Sequence, residues 1–180
     1  MDYVGGMAES VDYHSRIKHK FIETYFNIWT DRVANPEKGK KNKGIPSLEI
    51  YDLYAASGWC QCSDCEEFRV GEERWEGSAL LAARCIAQYP NSTKLFLNSY
   101  SPNLKKCEEN VKTLTESLEA LEGYSGLKSK IRLISEPIEK AVEIAKAEVN
   151  RDFPSIWLLD PYEPKQLPWE VVEQIGSIEG

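Results

Sequence analysis

Three cysteines within six positions, Cys60, Cys62 and Cys65 in the stretch GWCQCSDCEE, have a spacing that could do chemistry. As thiolates they could fill three corners of a tetrahedral zinc site, with Cys85, a histidine or a partner chain supplying the fourth ligand. A second C-x-x-C at zinc-ribbon spacing is absent from the sequence. An iron–sulfur cluster would also need a fourth ligand that the sequence does not place. Plain reduced thiols are the alternative, and a Cys62–Cys65 redox pair is a third reading, although such pairs usually open a helix in a different context. His14 and His19 fall on or before an amphipathic helix, where surface or packing roles suit them better than ligation.

A second constellation is Asp160-Pro161-Tyr162, which follows the apolar run SIWLLD. A carboxylate accepts N–H groups and an aromatic ring offers a face, so together they suit a planar amine or amide. The alternative is a turn, with Asp160 as its cap and Tyr162 packed on the next helix, because Asp-Pro often opens turns. A third is DLYAASG, where Asp52 and Tyr54 precede Ala55, Ala56, Ser57 and Gly58. Small residues let a nucleotide-like group approach the backbone, and a tight strand-to-helix turn without a ligand would use the same residues.

These residues need strands that end beside one another. The apolar runs at residues 48–56, 94–99, 130–135 and 155–160 read as four strands, and helices separate them. A helix from Ile17 to Trp29 has Ile17, Phe21, Tyr25 and Ile28 on one face, expected to be buried, with Ile22, Phe26 and Trp29 widening it. GSALLAARCIAQ forms the next helix. Ser101 as cap, Pro102 at the first helical position and Gly123 as a left-handed stop frame a third, with Cys107 as a small core residue on its apolar face. Pro137 opens a helix with Ile138, Ala141, Val142 and Ala145 inward, and a last one starts near Pro168. Alternating strands and helices predict an α/β fold, a Rossmann-like three-layer sandwich with a mainly parallel sheet. Counted along the chain, the expected strand order is 3-2-1-4. Residues 1–46 hold the N-terminal helix and a basic loop, and residues 47–180 the alternating part of one domain.

A length of 180 residues suits one such domain, and 29 acidic against 22 basic side chains give a net charge of −7. That balance disfavours binding driven mainly by nucleic-acid phosphates. The run KGKKNK at residues 38–43 is a local exception, read as a solvated loop or an anion contact. An odd number of cysteines, five, and no apolar stretch of membrane-spanning length point to a reduced cytoplasmic chain with no membrane role.

KHKFIETYFNIW, IYDLYAASG, GSALLA and WLLDPYEPKQLPWEVVEQI, in that order, resemble the three-Cys-motif partner proteins, a group similar to class I S-adenosylmethionine-dependent methyltransferases. The resemblance spans nearly the whole chain. It implies S-adenosylmethionine as cofactor, with Asp52, Tyr54, Ala55, Ser57 and Gly58 on its loop, Asn98 near the ribose and Glu136 near the adenine. It places Asp160, Pro161 and Tyr162 at the catalytic edge, with a nucleic-acid base or other planar amine as acceptor. A non-catalytic subunit with a degenerate methyltransferase fold is the alternative. The sequence differs from the family pattern at Ala56, where glycine is usual, at Asn98, where many methyltransferases carry a carboxylate, and at Glu163, which replaces a glycine. The resemblance also implies a three-Cys-motif protein as partner, and the cysteines of the family name belong to that partner. Four strands where such sheets have seven imply a truncated fold, its exposed sheet edge open to another chain.

Overall fold

The computed structural model describes residues 8–34, 48–62, 74–88 and 94–178. Along the chain run β1 (Glu9–Ser10), α1 (Tyr13–Ala34), β2 (Glu49–Asp52), β3 (Trp59–Gln61), β4 (Arg74–Glu76), α2 (Ser78–Gln88) and β5 (Lys94–Asn98). They are followed by α3 (Leu104–Glu119), α4 (Tyr124–Leu127), β6 (Ile131–Ile134), α5 (Ile138–Glu148), β7 (Ser155–Leu158) and α6 (Trp169–Gly176).

Four strands form one parallel sheet in the order β6-β5-β2-β7, compatible with a Rossmann-like α/β fold. Strands covered on both faces bury side chains of both registers, as all four residues of β2 and Leu95, Phe96, Leu97 and Asn98 of β5 do. Ile50, Leu95 and Leu97 join Ala79, Leu80, Ala83 and Ile86 of α2 and Leu114 and Leu118 of α3 in one core. Tyr51 and Phe96 point the other way, against Val142 and Ala145 of α5 and Val171 of α6. Tyr51 stacks on Trp157 of β7 with ring centroids 4.2 Å apart, and its hydroxyl donates to the buried Glu49 carboxylate. Among the described residues no helix is long and apolar enough to cross a membrane.

The N-terminal helix forms where expected but turns the other face inward. Phe26, Thr30 and His19 are buried, whereas Ile17, Phe21, Tyr25 and Ile28 are exposed. The physical reason lies in α2, whose alanines at 79, 82 and 83 let α1 come close. The Thr30 hydroxyl folds back onto the Phe26 carbonyl at 2.5 Å, and the Cys85 thiol lies 3.9 Å from the same oxygen. Full burial of Phe26 contributes roughly 1.5–3 kcal/mol by transfer alone.

Two further expectations are corrected. The cap of α3 is Asn103, whose side chain accepts from the Lys106 amide at 3.1 Å, and Ser101 instead receives the Asn103 amide through its hydroxyl. Gly123 does adopt the left-handed conformation after that helix, at φ 82°. The segment around Cys60, read as a loop, is strand β3 of a second small sheet, parallel to β1 and antiparallel to β4. That sheet is fastened to α3 by Glu9, which accepts from Lys106 Nζ at 2.9 Å and Asn110 Nδ2 at 3.1 Å. The Trp59 indole donates to Ser117 at 2.7 Å on the same helix. The run KGKKNK lies outside the described residues.

Candidate functional site

A parallel sheet has its ligand-binding crevice where the chain reverses its direction of strand addition. Here β2, β5 and β6 add outward in one direction and β7 then returns to the other side of β2, so the switch point falls between β2 and β7. Asp52 ends β2, and Asp160 follows β7 by two residues.

Asp52 is fully buried, and its two oxygens accept from the Tyr54 amide at 3.0 Å and the Ser78 hydroxyl at 2.6 Å. Burial pushes its carboxyl up to about 6 against the pull of those two donors, and the charge of Asp160 adds to the rise. The carboxylate thus ties the end of β2 to the first residue of α2 and fixes the loop between them.

Within that loop the Ala55 amide donates to the Asn98 carbonyl at 3.0 Å, and the Ser57 hydroxyl pairs with the Trp59 backbone. Tyr54 reaches away, its hydroxyl donating to the Gln166 carbonyl at 2.6 Å. Ala56 has φ 45°, a left-handed conformation that favours glycine and costs an alanine about 1–2 kcal/mol. Its carbonyl accepts from the Ser99 hydroxyl, which helps hold the strained turn. Gly58 is left-handed too, at φ 77°, and a Cβ there would lie 2.8 Å from Leu114 and 3.1 Å from Leu80. Close packing of α2 and α3 accounts for that glycine without any ligand.

Asn98 is buried, and its amide bridges three strand ends. Nδ2 donates to the Leu53 and Glu136 carbonyls, and Oδ1 accepts from the Glu136 amide at 3.0 Å. Both of its N–H donors are therefore engaged by backbone. The Glu136 carboxylate reaches Lys140 at 2.9 Å, one turn along α5.

At the other side of the switch point Asp160 pairs with Lys18 of α1, both of its oxygens lying 2.8 Å from the ammonium. Pro161 follows, and the Tyr162 ring is 74% exposed. Next to Lys18, His19 is buried and accepts the Trp75 indole N–H at Nδ1, 2.9 Å away. Burial, and then Lys18, hold its imidazole below the usual histidine range, so it acts as a neutral acceptor. Sequence reasoning missed Lys18, Ser78 and His19 as parts of this cluster. Lys18 and Ser78 lie in KHKFIETYFNIW and GSALLA, and this placement is the only signal for them.

Of the cysteines expected as ligands, Cys60 lies in β3 and Cys62 just after it. Cys62 is disulfide-bonded, which differs from the expectation of reduced thiols. Cys60 carries a free thiol, buried in β3 and pushed up to about 12, chiefly by burial and then by Glu9. Such a thiol stays protonated at neutral pH. Cys65 lies outside the described residues. Among the described residues no group of three or more His, Cys, Asp or Glu side chains is disposed to hold a metal ion. Cys107 is buried in α3 as expected, beside the Ser135 hydroxyl.

No protein-family model matches the chain, and no curated protein and no solved structure matches it.

Proposed function

We propose that the chain is an S-adenosylmethionine-dependent methyltransferase of the three-Cys-motif partner type, acting on a nucleic-acid base or other planar amine. The observation that carries the reading is the placement of Asp52 and Asp160 on either side of the β2/β7 switch point, with the small-residue loop Ala55–Ser57 beside them. The strain at Ala56 supports it, since strained turns are kept where a backbone must be presented in one orientation. S-adenosylmethionine, when bound, supplies a sulfonium methyl open to attack by a nucleophilic amine.

The loop 53–58 would hold the donor through its backbone, with no side chain larger than a methyl at residues 55 and 56 to obstruct it. Glu136 stands at the end of β6, and its carboxylate could take a donor hydroxyl or amine in exchange for Lys140. Asp160 would accept an N–H of the amine and orient its lone pair, and Tyr162 would cover the ring face. The Lys18 ammonium now occupies the place of that N–H donor. A partly exposed ion pair is worth about 0–1 kcal/mol, so an incoming amine can exchange with Lys18 at little cost. Placement alone can then remove several kcal/mol of the barrier.

The second reading is a non-catalytic binding subunit, favoured by the engagement of both Asn98 N–H donors with backbone. Incubation with methyl-labelled S-adenosylmethionine and a panel of oligonucleotides and heteroaromatic amines separates the two. Label on an acceptor is expected from the wild-type chain, falling at least ~100-fold in Asp160→Asn, the usual scale for a positioned proton acceptor. No donor binding and no label on any acceptor supports the second reading and removes the first.

A further inference from the structure

We propose that Tyr54 is a positioning residue for the acceptor, its hydroxyl holding the loop 160–166 in place when an amine displaces Lys18 from Asp160. The inference rests on the proposed methyl transfer and assigns the Tyr54 side chain to the acceptor side of the site, not to the donor. The loop is stiff within itself. Pro161 and Pro164 fix two of its φ angles. In the single turn Pro164–Gln166 the Glu163 amide donates to Gln166 Oε1 at 3.1 Å, and the Gln166 amide donates to the Glu163 carbonyl at 2.9 Å. Lys165 pairs with Glu163, again inside the loop. Such a loop moves as one piece, and its aim depends on what holds its two ends.

At one end Lys18 holds Asp160, and at the other the Tyr54 hydroxyl donates to the Gln166 carbonyl at 2.6 Å, across 112 positions. Among the described residues no other hydrogen bond or ion pair reaches residues 161–166 from outside the loop. Tyr54 is itself fixed. Its amide donates to Asp52 Oδ1 at 3.0 Å, and its ring, like Leu167, packs on the cluster that holds Val142 and Val171. Burial, and then the charge of Glu139, push its hydroxyl up to about 12, so it stays a donor at neutral pH. Tyr162 lacks such an anchor: its ring is exposed, and the loop backbone sets its direction. When an amine takes the place of the Lys18 ammonium, the first tie is released. The Tyr54 hydroxyl then keeps the loop, and with it the Tyr162 ring, from swinging away from the end of β2.

Methyl-transfer kinetics of Tyr54→Phe in the full chain test it, since the ring stays and only the hydroxyl goes. The acceptor is whichever oligonucleotide or heteroaromatic amine of the panel takes the label. Its KM should rise roughly 2–10-fold, the scale of one net hydrogen bond, because only the chains with the loop in place accept the amine. The kcat, and the calorimetric Kd for S-adenosylmethionine, should stay as in the wild type. In a Tyr162→Ala background Tyr54→Phe should add less than it does alone, because the ring it steadies is gone. A raised donor Kd in Tyr54→Phe would put the hydroxyl on the donor and overturn the proposal, as would full additivity with Tyr162→Ala. Transfer that Tyr54→Phe leaves unchanged removes this role alone. A wild-type chain that neither binds the donor nor labels an acceptor removes the proposed function, and this role with it.

Discussion

Gly58→Ala is expected to destabilise the chain by about 2–4 kcal/mol, a left-handed backbone contributing about 1–2 and overpacking the remainder. At ~2–4 °C per kcal/mol for a chain of this size, the midpoint of thermal unfolding should fall by roughly 5–15 °C. The Cβ would meet Leu114 Cδ1 at 2.8 Å and Leu80 Cγ at 3.1 Å, and both leucines are buried in the core. Gly123 is the matched control. It has φ 82° and nothing within 4 Å of an added Cβ, so Gly123→Ala carries the backbone cost alone, about 1–2 kcal/mol. Equal losses in the two variants would contradict the packing of α2 and α3 over Gly58. The comparison bears on function because the turn that Gly58 closes is the one that would present backbone to a donor.

The second large effect is a pH dependence centred on Asp52. Its carboxyl titrates at 3.8 when unfolded and at about 6 when buried in the folded chain. Between those values the folded state holds the proton more tightly, so the Asp52 contribution is fully present below about pH 4 and is lost as pH rises through about 6. The loss is on the order of 3 kcal/mol at about 1.4 kcal/mol per unit. Asp52→Asn does not titrate. Its carbonyl can still accept the Tyr54 amide, and the Ser78 hydroxyl can rotate to accept from the carboxamide. Urea unfolding of both chains across that range should show the variant gaining on the wild type as pH rises from about 4 to 7, and then levelling. A difference that does not change with pH would mean that Asp52 is not ionising in a buried site.

The four sheet strands were legible as short runs rich in apolar and aromatic residues, LEIYDLYAA, KLFLNS, KIRLIS and SIWLLD, separated by helical patterns. Pro137 and Pro168 marked the starts of α5 and α6 for a local steric reason that no tertiary contact had to supply. The orientation of α1 was not legible. Phe21 and Phe26 are the same residue type on different faces of one helix, and it is the packing of α1 on α2 that puts Phe26 inside. Strand β3 was hidden because three residues, Trp59–Gln61, become a strand only by pairing with Glu9–Ser10 and Arg74–Glu76. In the candidate site, Asp52 and Asp160 could be read from the sequence as strand ends. That Lys18 meets Asp160 across 142 positions could not, since nothing local in α1 points to it. Asn98 was read as a ligand group because its position at a strand end is right, yet the amide is held by Leu53 and Glu136.

Donor binding at the β2/β7 switch point is tested most directly by calorimetric titration of the full chain with S-adenosylmethionine. Saturable heat at one site per chain is expected, with thermal stabilisation of about 2.7 kcal/mol at a hundredfold excess over Kd. No heat and no shift in the melting temperature at millimolar donor would contradict it.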